Sequence, residues 1–147
     1  MGEIELREEV TAPYSTVRRA LLFSPEELLA GGQRDPTTLF EAAIGDVQVA
    51  VRVKVDVGAF SEVTEPAASC TRRFDIAAEA HPGWYPILSG ALQADDDGVG
   101  TGISLGGTYR PPGGPLGRAL DAAGLHDVAQ ASLEHYFDEL LQRIAAL

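Results

Sequence analysis

The sequence is poor in the residues that build cross-linked or metal-held scaffolds. It has one cysteine, Cys70, and three histidines in 147 residues. A lone thiol closes no intramolecular bridge, which excludes a disulfide framework and leaves a buried structural thiol as the default. His81, His126 and His135 are scattered, with no pair at i,i+4 on one helix face, so a zinc site is not expected. Bases are scarce as well. Eleven of them, only one a lysine (Lys54), stand against 22 acids, for a net charge of -11. So negative a chain disfavours nucleic acid and anionic membrane surfaces, both polyanions. Few lysines with abundant alanine and glycine point to a GC-rich bacterial genome. No run approaches the ~20 apolar residues of a membrane span. The opening Gly2-Glu3-Ile4-Glu5-Leu6 lacks the basic and apolar regions of a signal peptide, so a reduced, cytoplasmic location is expected. There is no GxGxxG, phosphate loop or nucleophile elbow, and no cofactor is expected. Asp95-Asp96-Asp97-Gly98 lacks the spaced acids and distal Glu of a calcium loop and reads as a hairpin turn.

What is present is enough apolar sequence, 45% of residues, to bury a core without staples. The length is that of one domain. Ile4 to Val10 alternates roughly and predicts a strand ending near Thr11. Pro13 can start a helix whose apolar side is Val17, Leu21 and Leu22. Ser24-Pro25-Glu26-Glu27 reads as the start of a second helix, with Ser24 as N-cap and Glu27 closing a capping box, stopped by Gly31-Gly32. Phe40 to Ile44, Val47 to Val57, Cys70 to Ala78, Ile87 to Ala94 and Val99 to Tyr109 read as strands. In the second of these, six valines fall on one face and Gln48, Arg52, Lys54 and Asp56 on the other, the pattern of an antiparallel sheet with one covered side. Pro111-Pro112-Gly113-Gly114-Pro115 ends the sheet. A helix broken at Gly124 follows. Its long piece carries Ala129, Leu133, Tyr136, Phe137, Leu140, Ile144 and Leu147 at three- and four-residue spacing, with Asp127, Glu134, Asp138 and Gln142 opposite. Glu139 and Arg143 stand at i,i+4. The expected fold is α+β, a curved antiparallel sheet with a long C-terminal helix across it.

Val10-Thr11-Ala12-Pro13-Tyr14-Ser15-Thr16-Val17 at the first strand–helix junction, and Tyr109-Arg110-Pro111-Pro112-Gly113-Gly114-Pro115-Leu116-Gly117 before the final helix, sit in the order they occupy in the START/birch-pollen-allergen superfamily. The chain resembles that group of polyketide cyclases and lipid-transport proteins (SRPBCC) along nearly its whole length. The resemblance implies a helix-grip fold with a cavity between sheet and helix that takes lipids, polyketides or other apolar molecules. It implies a reaction far less firmly, since fold and chemistry part company easily. One departure stands out. Many bacterial relatives carry a Trp after the second helix, whereas Gly31-Gly32-Gln33-Arg34-Asp35-Pro36 has none, which implies a differently shaped entrance.

A cavity of this kind needs apolar walls and a few orienting polar groups. The candidate walls are Phe40, Val51, Val53, Phe74, Leu88, Tyr109, Leu133, Tyr136 and Phe137; a filled core would show the same periodicity. Gly90, Gly102, Gly106 and Gly107 in the late strands favour a cavity, since strand glycine marks curvature or close approach. Arg72 must face inward if Phe74 and Ile76 do. A buried Arg needs a partner, either a ligand carboxylate or a protein acid such as Glu41. His126 lies in phase with the apolar stripe of the last helix, where it orients a ligand or caps a backbone carbonyl; His135 falls on the polar side. Trp84, in His81-Pro82-Gly83-Trp84-Tyr85-Pro86, covers a cavity mouth or packs on the sheet end. The leading expectation is noncatalytic binding of a small apolar ligand. One alternative is an aromatase/cyclase or dehydratase with Arg72, His126 and Tyr109 or Tyr136 as polariser and acid/base, for which at least two of these heads must converge in one apolar pocket. The other is a protein-interaction domain, marked by an exposed apolar patch.

Overall fold

The computed structural model describes residues 2–30, 37–44, 47–78, 87–110 and 122–147. Strand β1 (Gly2–Val10) is followed by helices α1 (Tyr14–Phe23) and α2 (Pro25–Ala30). Five strands come next: β2 (Thr37–Ile44), β3 (Val47–Val63), β4 (Ser69–Ala78), β5 (Ile87–Asp96) and β6 (Thr101–Arg110). The C-terminal helix α3 spans Ala122–Ala145. All pairings are antiparallel, and the six strands run β1-β6-β5-β4-β3-β2, so the chain ends its meander beside its first strand. This is the helix-grip layout that the resemblance implied.

Alternation explains the two sheet faces. Val53 and Val55 are buried while Lys54 and Asp56 are exposed, and Cys70, Phe74 and Ile76 face the same way across β4. The expected end of the valine strand at Val57 is too early. β3 runs on to Val63 through an irregularity between Val57 and Phe60, so Gly58-Ala59 bulges rather than terminates. Gly98, with φ of +89°, makes the turn before β6. The Asp97 carboxylate accepts from the N–H groups of Val99 (3.0 Å) and Gly100 (2.6 Å), which hold it below the ordinary carboxylate range. Val99 is consequently a turn residue, almost wholly exposed, and β6 starts two positions later than its sequence suggested.

The two short helices are where expected. Pro13 sits at the N-cap of α1, one position before the helix proper, and its carbonyl accepts from Thr16 and Val17. Ser24 ends α1 through a backbone bond to Ala20 and opens α2 through its carbonyl, which accepts from Leu28. The expected Ser24–Glu27 capping box does not form, because Ser24 is already the C-cap of α1 and its backbone is set by that role.

Helix α3 corrects the expected break. It begins at Ala122 and passes through Gly124, so the helix absorbs that glycine; Leu116 to Asp121 lie outside the described residues. Ala129, Leu133, Tyr136, Phe137, Leu140 and Ile144 are buried, and Asp127, Glu134, Asp138 and Gln142 are exposed, as the periodicity predicts. Leu147 is the exception, half exposed past the helix end. Two of the carbonyls that the C-terminus of α2 leaves without helical partners receive donors from α3. The Tyr136 hydroxyl donates to Leu29 O at 2.6 Å and Arg143 Nη1 to Leu28 O at 2.9 Å. Arg143 also pairs with Glu139 (3.5 Å), as their spacing predicted. No helix among the described residues is long and apolar enough to cross a membrane.

Candidate functional site

The backbone of α3 comes nearest to β1 and β2, the two edges of the sheet, while α1 and α2 lie over β3, β4 and β5. Between the edges, the space under α3 is bridged by side chains. The Phe74 ring on β4 meets the Tyr136 ring on α3 with centroids 6.2 Å apart at 45°, a favourable tilted arrangement. Val53, Phe74, Leu88, Tyr109, Leu133, Tyr136 and Phe137 are all buried on this face. Phe40 stands opposite Val51 in the β2–β3 register, the only placement the structure gives these two. Trp84 lies outside the described residues. Leu92 and Leu105, which face each other across β5 and β6, are inner-face residues that the candidate walls omitted. Their alternation with Ala94 and Ile103 was the available signal.

Two of the late-strand glycines mark the close approach that strand glycine implies. A β-carbon on Gly90 would stand 2.6 Å from Gly106 O, and one on Gly107 would stand 2.6 Å from Ser89 O and 2.8 Å from Gly90 Cα. These two glycines oppose each other in the register, so β5 and β6 close on each other there. Gly102 makes room for the Arg7 guanidinium on the outer face, where Arg7 reaches Ser104 (2.9 Å) and Asp95 (3.2 Å). Of the four, Gly106 alone has open space at its β-carbon position. Close backbone approach accounts for Gly90 and Gly107.

The polar groups divide between two places. The Tyr109 hydroxyl and His126 Nδ1 are 2.9 Å apart, with ring centroids at 5.6 Å. With Nδ1 unprotonated the phenol donates; with Nδ1 protonated the ring donates to the phenol oxygen. That pair can hold or pass a proton. Arg72 lies elsewhere. Its row of the sheet is Arg72, Leu92, Leu105 and Leu6, whereas the Tyr109 row is Ile76, Leu88 and Tyr109. Four residues of strand separate the rows, about 13 Å, and β5 stands between the strand of Arg72 and that of Tyr109. Tyr136 gives its hydroxyl to Leu29, and burial pushes that phenol well above the ordinary tyrosine range. Two of the named polar heads, Tyr109 and His126, therefore meet, while Arg72 and Tyr136 stand apart from them.

Arg72 faces inward, as alternation required, between buried Cys70 and Phe74. Its Nε is sealed from solvent and has no hydrogen-bond partner. Glu41 is not its counter-ion, because Glu41 pairs with Ala50, ten residues along β3 from Phe60, the partner of Arg72; that is about 30 Å of strand. Glu62 is nearer but engaged. Both of its oxygens accept from Arg18, at 2.7 and 3.0 Å, which lowers the Glu62 carboxyl from its usual range. Beside it, burial pushes the Cys70 thiol up, against the opposing effect of its hydrogen bond with Tyr14, so this cysteine is poorly suited to nucleophilic work. Among the described residues no group of His, Cys, Asp and Glu is arranged to hold a metal ion.

Exposed large apolar residues are few among the described residues. Phe23, Val63, Val99 and Leu147 sit on α1, at the end of β3, in the β5–β6 turn and at the chain end. Isolated exposures of this kind are ordinary. Shallow recesses open at the surface, one of about 290 Å3 between β1 and α3 (Leu6, Glu8, Phe137, Leu141) and one of about 260 Å3 where Leu28 of α2 meets Arg143 and Leu147.

No protein-family model and no curated protein matches the sequence. Solved structures do. TTHA0849 from Thermus thermophilus aligns over 99% of this chain and 98% of its own, with a TM-score of 0.56 and 15% identity. Ms6760 from Mycobacterium smegmatis aligns over 98% of this chain and 88% of its own, at 0.51 and 16%. A protein from Rhizobium leguminosarum aligns over 97% and 95%, at 0.50 and 12%. The likeness, at these identities, is one of fold, and that fold is the α+β helix-grip layout of an antiparallel sheet with a long C-terminal helix.

Proposed function

We propose that the protein binds a small apolar molecule between the inner face of its sheet and helix α3, without transforming it. The observation that carries this reading is the way α3 is seated: its backbone is nearest to the two edge strands, over an inner face built from Val53, Phe74, Leu88 and Leu92. A helix held at the edges over an apolar sheet face is suited to enclosing an apolar body, which gains about 25 cal/mol per Å2 of surface removed from water. Native mass spectrometry of the purified protein, with titration of a neutral environment-sensitive dye such as Nile red, tests the reading. A retained small molecule, or saturable blue-shifted dye emission at micromolar protein, is the expected result. Neither a retained mass nor saturable dye binding would mean that side chains fill the space, and the reading would fall.

The Tyr109–His126 pair supports a second reading, an acid–base enzyme of the cyclase or dehydratase kind. On that reading the retained molecule changes mass during incubation with wild type and stays unchanged with Tyr109→Phe. A molecule that stays unchanged with both sets the enzyme aside.

A further inference from the structure

We infer that the ligand is an amphipathic acid, whose anionic head is taken by Arg72 while its apolar tail lies along Phe74 and Leu92. The inference rests on the apolar-ligand reading above and names its chemical class. Arg72 is a permanent cation on the inner face of a central strand, opposite Phe60 on one side and Leu92 on the other. Its Nε is closed to solvent with no acceptor. A sealed donor on a charged group is costly to leave unsatisfied. The fold offers no remedy on this face among the described residues. Glu62 is two positions along β3 and holds Arg18 with both oxygens. Asp75 and Asp56, paired across β3 and β4, are exposed on the opposite face. Glu41 is at the far end of β3. A guanidinium offers a planar fork of donors that matches a carboxylate, so a ligand carboxylate supplies what the protein withholds. The next inward residue of the strand, Phe74, presents an apolar wall to the tail together with its partner ring Tyr136. The chain as a whole carries -11, a field that repels anions, so any preference for an acid has to arise locally.

The test compares decanoate with 1-decanol, two ligands of one chain length that differ in head charge, by displacement of Nile red or by calorimetry at neutral pH. In the wild type decanoate binds about 10- to 100-fold more tightly, the range for one charge-assisted hydrogen bond. Arg72→Met brings the two affinities together by weakening decanoate alone; Arg72→Lys, which keeps the charge but loses the fork, falls between. Equal affinities in the wild type overturn the assignment of the head to Arg72 and leave the apolar-ligand reading standing. A decanoate preference that survives in Arg72→Met overturns it too, since the anion would then be held elsewhere. Absence of binding by both ligands overturns the inference together with the reading beneath it. Where Arg72→Met fails to fold, the wild-type ratio and Arg72→Lys still decide.

Discussion

Gly107→Ala should unfold about 6–12 °C below wild type, whereas Gly106→Ala, one residue away, should melt within a degree or two of it. The added methyl is the same in both, and only its surroundings differ. At Gly107 it would stand 2.6 Å from Ser89 O and 2.8 Å from Gly90 Cα, both backbone atoms of the paired strand. Neither can swing away as a flexible side chain would, so β5 and β6 must separate along hydrogen-bonded register. Overpacking of this kind costs about 1–3 kcal/mol, and the rigidity of the obstacle favours the upper end. At Gly106 the nearest atom is Ile4 O at 4.0 Å, so the methyl enters open space. Gly90→Ala should behave like Gly107→Ala, since its β-carbon meets Gly106 O at 2.6 Å. Thermal melts of the three variants followed by circular dichroism provide the check. A Gly107→Ala protein as stable as Gly106→Ala would mean that the strands are not closed on each other at this point.

These glycines also mark where reading the sequence succeeded and where it ran out. Period-two alternation places the inner and outer faces of β3 from Val53 onward and of β4 correctly, because residues two apart have the same relation to the pleat. Three- and four-residue spacing did the same for α3 from Ala129 to Ile144. Glycine misleads in two distinct ways. Gly124 reads as a break and is absorbed by a helix; Gly90 and Gly107 read as favouring a cavity and mark a close approach of backbone instead. In each case the residue says only that the local backbone is permissive, and tertiary pairing decides what is done with the freedom. The polar groups show the same division. That Arg72 faces inward follows from parity alone. That its Nε meets no protein acid among the described residues depends on the register of three strands, and on Glu62 already being engaged by a residue 44 positions away. Likewise, Tyr109 and His126 were both candidates, yet nothing in their separate strand and helix patterns foretold a bond between them.

Tyr136 should prove the most expensive side chain to lose on α3, and its hydroxyl should carry a separable, pH-dependent share of the effect. The ring is buried against Phe74, and the hydroxyl reaches Leu29 O at 2.6 Å. Tyr136→Ala removes both and should cost about 3–5 kcal/mol, as for a large aromatic cut to alanine in a packed core. Tyr136→Phe keeps the ring and strands the carbonyl of Leu29, itself a fully buried residue; about 1–3 kcal/mol should go. The pH dependence follows from burial, which raises this phenol well above the ordinary tyrosine range. The unfolded chain releases its tyrosine protons near pH 10. A group whose folded value is raised contributes stability that is complete below the unfolded value and is lost as pH climbs above it. Urea unfolding at pH 8 and at pH 10.5 should therefore show wild type losing stability between the two, with Tyr14, raised mainly by burial as well, adding to the fall. In Tyr136→Phe the fall should be shallower, so that the gap between variant and wild type narrows as pH rises. A constant gap across that range would show that the Tyr136 phenol ionises alike in the folded and unfolded chains, and that its bond to α2 does not depend on a dry environment.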